Sequence, residues 1–182
     1  MIQQAYKAVP TVFNKAYKAL FRAGYQPSSW KNSIGIIIPK PSKPDYSIPK
    51  AYRVISLLNC LGKVLEKIFA TRLGYLANTT ARLLHNTQLG GRKQRSAIDT
   101  VLLLLNEVQQ QKEKGRKTTT AFLDIKGAFD HVNKVKLLEV LQGLGLPTNL
   151  VSWVNSFLTG RKIQLAFNSQ LQPSTEVTTG IP

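Results

Sequence analysis

Apolar side chains recur at helical spacing in several stretches of the chain, each bounded by polar or turn-forming residues. In the first stretch Pro10 predicts that the helix starts or kinks there, and Gly24 predicts its end. Gly74 is placed to end the second predicted helix, Leu61–Leu73. Ser96 is placed to cap the third, Ile98–Val108, whose wide apolar arc predicts that it is well buried. The predicted helices cover Gln4–Leu20, Leu61–Leu73, Ile98–Val108, Val132–Leu144 and Leu150–Leu158.

Runs rich in β-branched residues predict the strands. Two of them flank a proline-rich loop, which indicates an irregular hairpin with Lys40 near one end and Arg53 on the returning strand. Asn168-Ser169 is predicted to turn the chain after a later strand. The predicted strands are Trp30–Pro39, Tyr52–Leu58, Ile163–Phe167 and Glu176–Thr179.

The stretch Thr118–Asp130 combines both patterns and organises our prediction. Its first half has the β-branched and apolar composition of a buried strand, which ends at Asp124; Gly127 then turns the chain into a helix. A carboxylate is costly to bury alone. Asp124 is therefore better explained if it binds a cation or a cationic side chain.

The charge balance narrows the class of partner. The 182 residues carry 25 Lys and Arg against nine Asp and Glu, a net charge of +16, while 43% apolar residues indicate a globular chain. So large a positive charge attracts polyanions, although solvated lysine faces are the simpler alternative. Cys60 is interpreted as a small buried hydrophobe and predicts a reducing compartment. No apolar stretch approaches a membrane span, and no secretory signal is recognisable.

Five short motifs in order resemble the reverse transcriptases of non-LTR (LINE-type) retrotransposons, over most of the chain from about Trp30. Each is a weak signal alone, and the order and spacing make the resemblance specific. The motifs are Ile37-Ile38-Pro39-Lys40-Pro41, Tyr52-Arg53-Val54-Ile55-Ser56-Leu57-Leu58-Asn59, Gln88-Leu89-Gly90 with Arg92 and Arg95-Ser96, Phe122-Leu123-Asp124-Ile125-Lys126-Gly127-Ala128-Phe129-Asp130, and Thr179-Gly180-Ile181-Pro182.

The resemblance implies an α+β fold: the fingers and an incomplete palm of a right-hand polymerase, rich in helices, with a small, mostly antiparallel sheet. Residues 1–29 would form an N-terminal helical extension and residues 30–117 a fingers-like region. Residues 118–182 would form a partial palm, truncated at the motif that starts with Gly180.

The resemblance also implies the site. Asp124 would be catalytic and hold two Mg²⁺ ions that stabilise the attacking and leaving oxygens. The backbone carbonyl of Ile125 would face the metal, and Asp130 would be a further ligand or only a cap or dipole partner of the helix that follows. Phe129 would screen the sugar 2′ position, or be plain core.

Cationic residues complete the implied site. Lys40 and Arg53 would neutralise the nucleotide triphosphate, and Arg92 and Arg95 would touch the template backbone. Each of the four is also interpretable as an ordinary surface charge. The partners implied are an RNA template, a DNA primer and dNTPs, with no membrane. The compartment implied is intracellular, nuclear or cytoplasmic.

One departure from the family pattern limits the prediction. The family carries an adjacent pair of palm aspartates, whereas no two of this chain's nine acids are adjacent. Because ligand number sets metal affinity, one dependable carboxylate predicts weak magnesium binding and a chain that is inactive alone. The alternatives are a non-catalytic basic RNA- or DNA-binding fragment, a maturase-like reverse transcriptase of group II introns, and a fragment without a stable fold.

Overall fold

The computed structural model describes residues 2–80, 83–167 and 170–181. The chain divides into two compact units, one formed by Met1–Phe69 with Gly127–Pro182 and the other by Ala70–Lys126. The helices are α1 (Ile2–Ala8), α2 (Pro10–Ala23), α3 (Cys60–Thr79), α4 (Ala97–Glu113), α5 (Lys134–Gly143) and α6 (Thr148–Leu158). The strands are β1 (Asn32–Pro39), β2 (Tyr52–Leu57), β3 (Lys162–Phe167), β4 (Gln170–Leu171) and β5 (Thr175–Glu176).

The first unit contains the sheet, in the order β2-β1-β3-β4, with β5 also paired to β3. β1 and β3 run parallel, and the other pairs are antiparallel. The sheet is therefore small, mixed and mostly antiparallel beside several helices, which confirms the predicted α+β class. The predicted hairpin also forms: Ile38 pairs with Arg53, and the Lys40 N–H donates to the Ala51 carbonyl at 2.8 Å.

Helix boundaries follow local chemistry where the sequence punctuates the chain. α2 begins at Pro10, since the first helical position needs no N–H, and it ends at Gly24 in the left-handed conformation with φ +57°. Ser96 and Asp99 form the predicted reciprocal capping box at α4. Gly74 does not end α3, which continues to Thr79.

A column of stacked aromatic rings forms the core of the first unit. The Phe69 ring lies 4.7 Å from Phe21 and 4.2 Å from Trp153, and Trp153 lies 5.0 Å from Phe157, centroid to centroid. The Arg161 guanidinium carbon completes the column, 4.5 Å from the centre of the Phe157 ring. Phe69 and Trp153 are buried. The column joins α2, α3 and α6, so it ties together helices that are far apart in the sequence.

Two predictions about apolar segments are wrong. Residues 118–125 form no strand; they lie outside any helix or strand, and Phe122, Leu123 and Ile125 are 84%, 94% and 76% exposed. A strand needs a neighbour to satisfy its backbone, and no described strand pairs with this run. The apolar side of α4 is also exposed, including Ile98 and Leu102, because no apolar surface within the described residues covers it.

Smaller predictions fail for local reasons. Cys60 is exposed, because it opens α3 on the side away from the buried Leu65 and Phe69. Pro147, rather than Thr148 or Asn149, occupies the cap position of α6. The last predicted strand, Glu176–Thr179, forms only at its first residue, because β5 covers Thr175–Glu176. The predicted turn at Asn168-Ser169 lies outside the described residues.

Candidate functional site

A cavity of about 520 Å³ lies over one face of the sheet within the first unit. Its sheet side is formed by alternate residues of three strands, as the pleat requires: Ser33, Val54, Ser56, Ile163 and Leu165. The facing side is formed by the turn after the central motif and by the last motif: Phe129, Asp130, Val177, Thr179, Gly180 and Ile181. Arg161 also contributes to the wall.

The facing side of the cavity is held together by its backbone. The Ile181 N–H donates to the Phe129 carbonyl at 3.0 Å, and Gly180 has φ +72°. A Cβ on Gly180 would lie 2.9 Å from the carbonyl oxygens of Phe129 and Asp130, so only glycine fits this approach. Lys134 Nζ donates to the Val177 carbonyl at 2.8 Å. Two motifs about fifty positions apart in the sequence therefore meet at one site.

Two predicted site residues line this cavity. Phe129 is 70% exposed, so it stands at the mouth rather than in a plain core position. Asp130 is exposed as well. It does not cap α5, because Asn133 holds that position and accepts from the Lys136 N–H at 3.1 Å. The capping alternative for Asp130 is therefore wrong, while its metal role stays a prediction.

Asp124 and Ile125 belong to the second unit and lie in its exposed run outside any helix or strand. No group of three or more His, Cys, Asp or Glu side chains close enough to hold a metal occurs among the described residues. The catalytic role of Asp124 and the carbonyl contact of Ile125 stay predictions.

Lys40 and Arg53 lie on the hairpin of the first unit, and neither lines the cavity. Lys40 Nζ donates to the Lys50 carbonyl at 3.0 Å, so its amine steadies the loop. Arg53 is exposed and pairs with Ile38 in the register, whereas Lys40 follows the last residue of β1. Their triphosphate role stays a prediction.

Arg92 and Arg95 lie in the second unit. Arg92 Nη1 donates to the His85 and Gln88 carbonyls at 3.4 and 3.5 Å, so part of this guanidinium is occupied by its own loop. Arg95 is exposed. Hydrogen bonds from the Ser96 backbone and side chain, and then the charge of Arg95, lower the pKa of Asp99. Template contact by either arginine stays a prediction.

Arg161 is a residue that the sequence prediction did not single out. It is 2% exposed, and its Nη1 donates to the Phe157 carbonyl at 3.2 Å. Its Nη2 is buried and has no hydrogen-bond partner among the described residues. The available sequence signal was the spacing of four from Phe157, which favours an aromatic–cation pair where helix α6 ends. That spacing does not indicate burial.

Glu66 is half-buried, and its negative charge interacts with the positive charge of Arg161. Burial raises the pKa of Glu66, and the charges of Arg161 and then Lys63 lower it only partly. An acid whose folded pKa is raised stabilises the fold below its unfolded pKa, and that stability is lost as the pH rises through the folded pKa.

We therefore expect Glu66→Gln to raise the midpoint of thermal unfolding at pH 7 relative to the parent. The advantage should shrink as the pH falls toward about 4, where the parent's carboxyl is protonated too. Unfolding followed by circular dichroism across this range measures it. Glu139→Gln, at an exposed ion pair with Lys136, is the control and should show no such gain at neutral pH. A constant difference at every pH would contradict the burial argument.

Comparison with known proteins adds a family match. Residues 38–182 match the family model described as reverse transcriptase (RNA-dependent DNA polymerase). No described helix is both long and apolar enough to cross a membrane.

Similar curated proteins come from transposable elements. The chain is 30% identical to a probable RNA-directed DNA polymerase from transposon BS of Drosophila melanogaster, over 91% of this chain and 18% of that protein. It is 30% identical to the one from transposon X-element of the same organism, over 99% and 19%. It is 29% identical to the RNA-directed DNA polymerase from mobile element jockey of that fly, over 98% and 19%. The chain thus spans about a fifth of the length of these relatives.

Proposed function

Because the chain belongs to the reverse transcriptase family, we propose that its residues serve RNA-directed DNA synthesis for a non-LTR retrotransposon. The substrates would be an RNA template, a DNA primer and dNTPs, in the nucleus or the cytoplasm. Residues 30–117 would act as fingers and residues 118–182 as part of the palm. The relatives' printed names support the reaction class.

The observation that carries this proposal is the meeting of Phe129 and Asp130 with the Gly180 segment around one cavity. These residues come from the fourth and fifth of the family-like motifs, and their contact depends on a glycine that no other residue replaces without strain. An exposed aromatic ring at the mouth of such a cavity suits the packing of a sugar or a base.

The predicted site offers the kind of ligand atom that Mg²⁺ prefers, but too few of these ligands. Asp124 and the Ile125 carbonyl offer oxygen ligands, which Mg²⁺ prefers. Asp124 is the one dependable acid, and no cluster of three candidate ligands occurs in the described residues. The described residues therefore offer too few ligands for a two-metal site, and we propose that these 182 residues do not catalyse synthesis alone.

Primer extension tests that proposal. Purified chain is incubated with Mg²⁺, dNTPs and a primed RNA template, beside the variants Asp124→Ala and Asp45→Ala. Asp45 is an exposed acid that accepts hydrogen bonds from the Ser47 N–H and hydroxyl within the hairpin loop, so it is the matched control. We expect no extension from any of the three. Robust synthesis that Asp124→Ala abolishes and Asp45→Ala leaves intact would overturn the claim of inactivity and support the metal role of Asp124.

Nucleic-acid binding without catalysis is a second candidate function, and the net charge of +16 favours it. Binding through phosphates releases counterions, so six contacts would weaken affinity roughly a thousandfold between 50 and 200 mM salt. We expect such a slope for an RNA–DNA duplex in fluorescence anisotropy. Arg53→Gln should lower the slope by about one unit if Arg53 touches a phosphate. Affinity that does not change with salt would rule this candidate out.

A further inference from the structure

The wall of the cavity contains a buried positive charge that neither the motifs nor the predicted site residues account for. Arg161 is 2% exposed, and the cavity extends from this residue to Phe129 and Val54, which are 70% and 48% exposed. It therefore runs from solvent to a wall that includes Arg161, whose guanidinium is buried behind the cavity surface. Its volume of about 520 Å³ is within the range of small-molecule sites, roughly 300–1,000 Å³.

The guanidinium is oriented but incompletely satisfied. Its face stacks on Phe157 at 4.5 Å, and Nη1 donates to the Phe157 carbonyl, which fixes the plane of the fork. Nη2 lacks a partner among the described residues, and no described carboxylate lies within ion-pair distance of Arg161, although the half-buried Glu66 balances part of its charge from farther away. A buried donor without a partner is costly, and a buried cation raises the local potential because the surrounding medium screens it weakly.

The other polar groups of the cavity are mostly hydroxyls. Ser33, Ser56 and Thr179 line it, and Ser33 Oγ is already used in a bond to the Lys162 carbonyl. Asp130 is the one acid in the wall and would repel an anion, but it is exposed to solvent, which screens its charge, whereas Arg161 is buried. Val54, Ile163 and Leu165 supply apolar surface beside these groups.

We propose that this cavity binds a phosphate group of a nucleotide or of a nucleic-acid strand, and that Arg161 is the cation that holds it. A guanidinium is a permanent cation that attracts phosphate, and the hydroxyls of Ser56 and Thr179 are donors for phosphate oxygens. Because Nη1 is engaged by Phe157 and Nη2 is buried, Arg161 acts on the ligand through its charge rather than through a preformed fork. The choice of phosphate over other anions rests on the proposed function.

This site differs from the predicted triphosphate contacts. Lys40 and Arg53 do not line the cavity, and Lys40 Nζ is engaged by the hairpin backbone. The proposal therefore assigns a phosphate contact to a residue outside the family-like motifs.

The experiment compares two probes: dTTP for a free nucleotide, and a 5′-labelled single-stranded oligothymidylate without a terminal phosphate for a strand. Tryptophan fluorescence follows the binding of dTTP, because Trp153 stacks on the same Phe157 ring as the Arg161 guanidinium. Anisotropy follows the oligonucleotide. Arg161→Gln is paired with Lys162→Gln, which removes the same charge from the adjacent exposed residue.

We expect Arg161→Gln to weaken binding of at least one probe about tenfold or more, while Lys162→Gln changes it much less. Loss confined to dTTP identifies the nucleotide as the source of the phosphate, and loss confined to the oligonucleotide identifies the strand. Equal effects of the two substitutions would overturn the phosphate site but leave the proposed function intact. A parent chain that binds neither probe would overturn both.

A second pair of variants guards against a fold defect in Arg161→Gln, which near-ultraviolet circular dichroism would reveal. Thr179 and Thr178 are adjacent and exposed, and only Thr179 lines the cavity. Thr179→Glu should weaken binding of the same probe well beyond Thr178→Glu, because its carboxylate lies at the site. Equal affinities of these two variants would also refute the proposal.

Discussion

Phe69→Ala should destabilise the first unit by about 3–5 kcal/mol, because it removes the central ring of the aromatic column and leaves a cavity. Phe69 is 1% exposed and stacks on Phe21 from α2 and on Trp153 from α6. Each aromatic pair contributes roughly 0.5–1.5 kcal/mol beyond the area that it buries. Since domains of this size are stable by only about 5–15 kcal/mol, the loss should be close to unfolding.

Denaturant unfolding followed by tryptophan fluorescence measures this loss, because Trp153 reports the column directly. Phe167→Ala is the control: the same atoms are removed from the end of β3, where the ring is 47% exposed, so the cost should be well under half as large. Similar destabilisation in both variants would contradict the view that the column is the core. Phe69→Leu, which keeps much of the volume, should recover part of the stability.

The part of the fold predictable from sequence was the part with strong local signals. The isoleucine run of β1, the break at Pro10 and the left-handed Gly24 depend on neighbouring residues, and all three form as predicted. The resemblance to non-LTR retrotransposon reverse transcriptases is confirmed as well. It rested on five motifs in order, and the order of motifs can be recognised in the sequence without any knowledge of tertiary contacts.

Residues whose state depends on a distant partner were predicted poorly. The run around Phe122 has the composition of a buried strand, but burial requires a surface that the run does not itself encode. The same argument applies to α4, whose apolar arc only shows that the helix is able to pack, not that a partner covers it. Composition thus indicated which secondary structure each segment favours, but it did not predict whether the segment is buried.

The candidate site divides in the same way. Phe129 and Asp130 were selected from a motif, and the structure brings them to one cavity with Gly180. Arg161 was not selected, because its burial is a property of the tertiary structure that no local spacing specifies. Buried cations of this kind become visible only in three dimensions.

Gly180→Ala should detach the last motif from the turn that carries Phe129. Two costs add: a non-glycine residue at φ +72° is strained by roughly 1–2 kcal/mol, and the new methyl group would lie 2.9 Å from two carbonyl oxygens. The methyl group meets backbone rather than a flexible side chain, so relief requires the segment to move. Movement breaks the hydrogen bond from the Ile181 N–H to the Phe129 carbonyl.

Gly160→Ala separates these two costs, because Gly160 has a similar φ of +66° but open space around its Cβ position. Both variants should lose stability to this backbone strain, and only Gly180→Ala should also lose protection of the Ile181 amide in hydrogen exchange. If the Ile181 amide stays protected in Gly180→Ala, or if its protection is lost equally in Gly160→Ala, then the close approach does not hold the two motifs together. If protection is lost only in Gly180→Ala, the position of Phe129 at the cavity mouth depends on this glycine, and any nucleotide contact made by Phe129 should weaken with it.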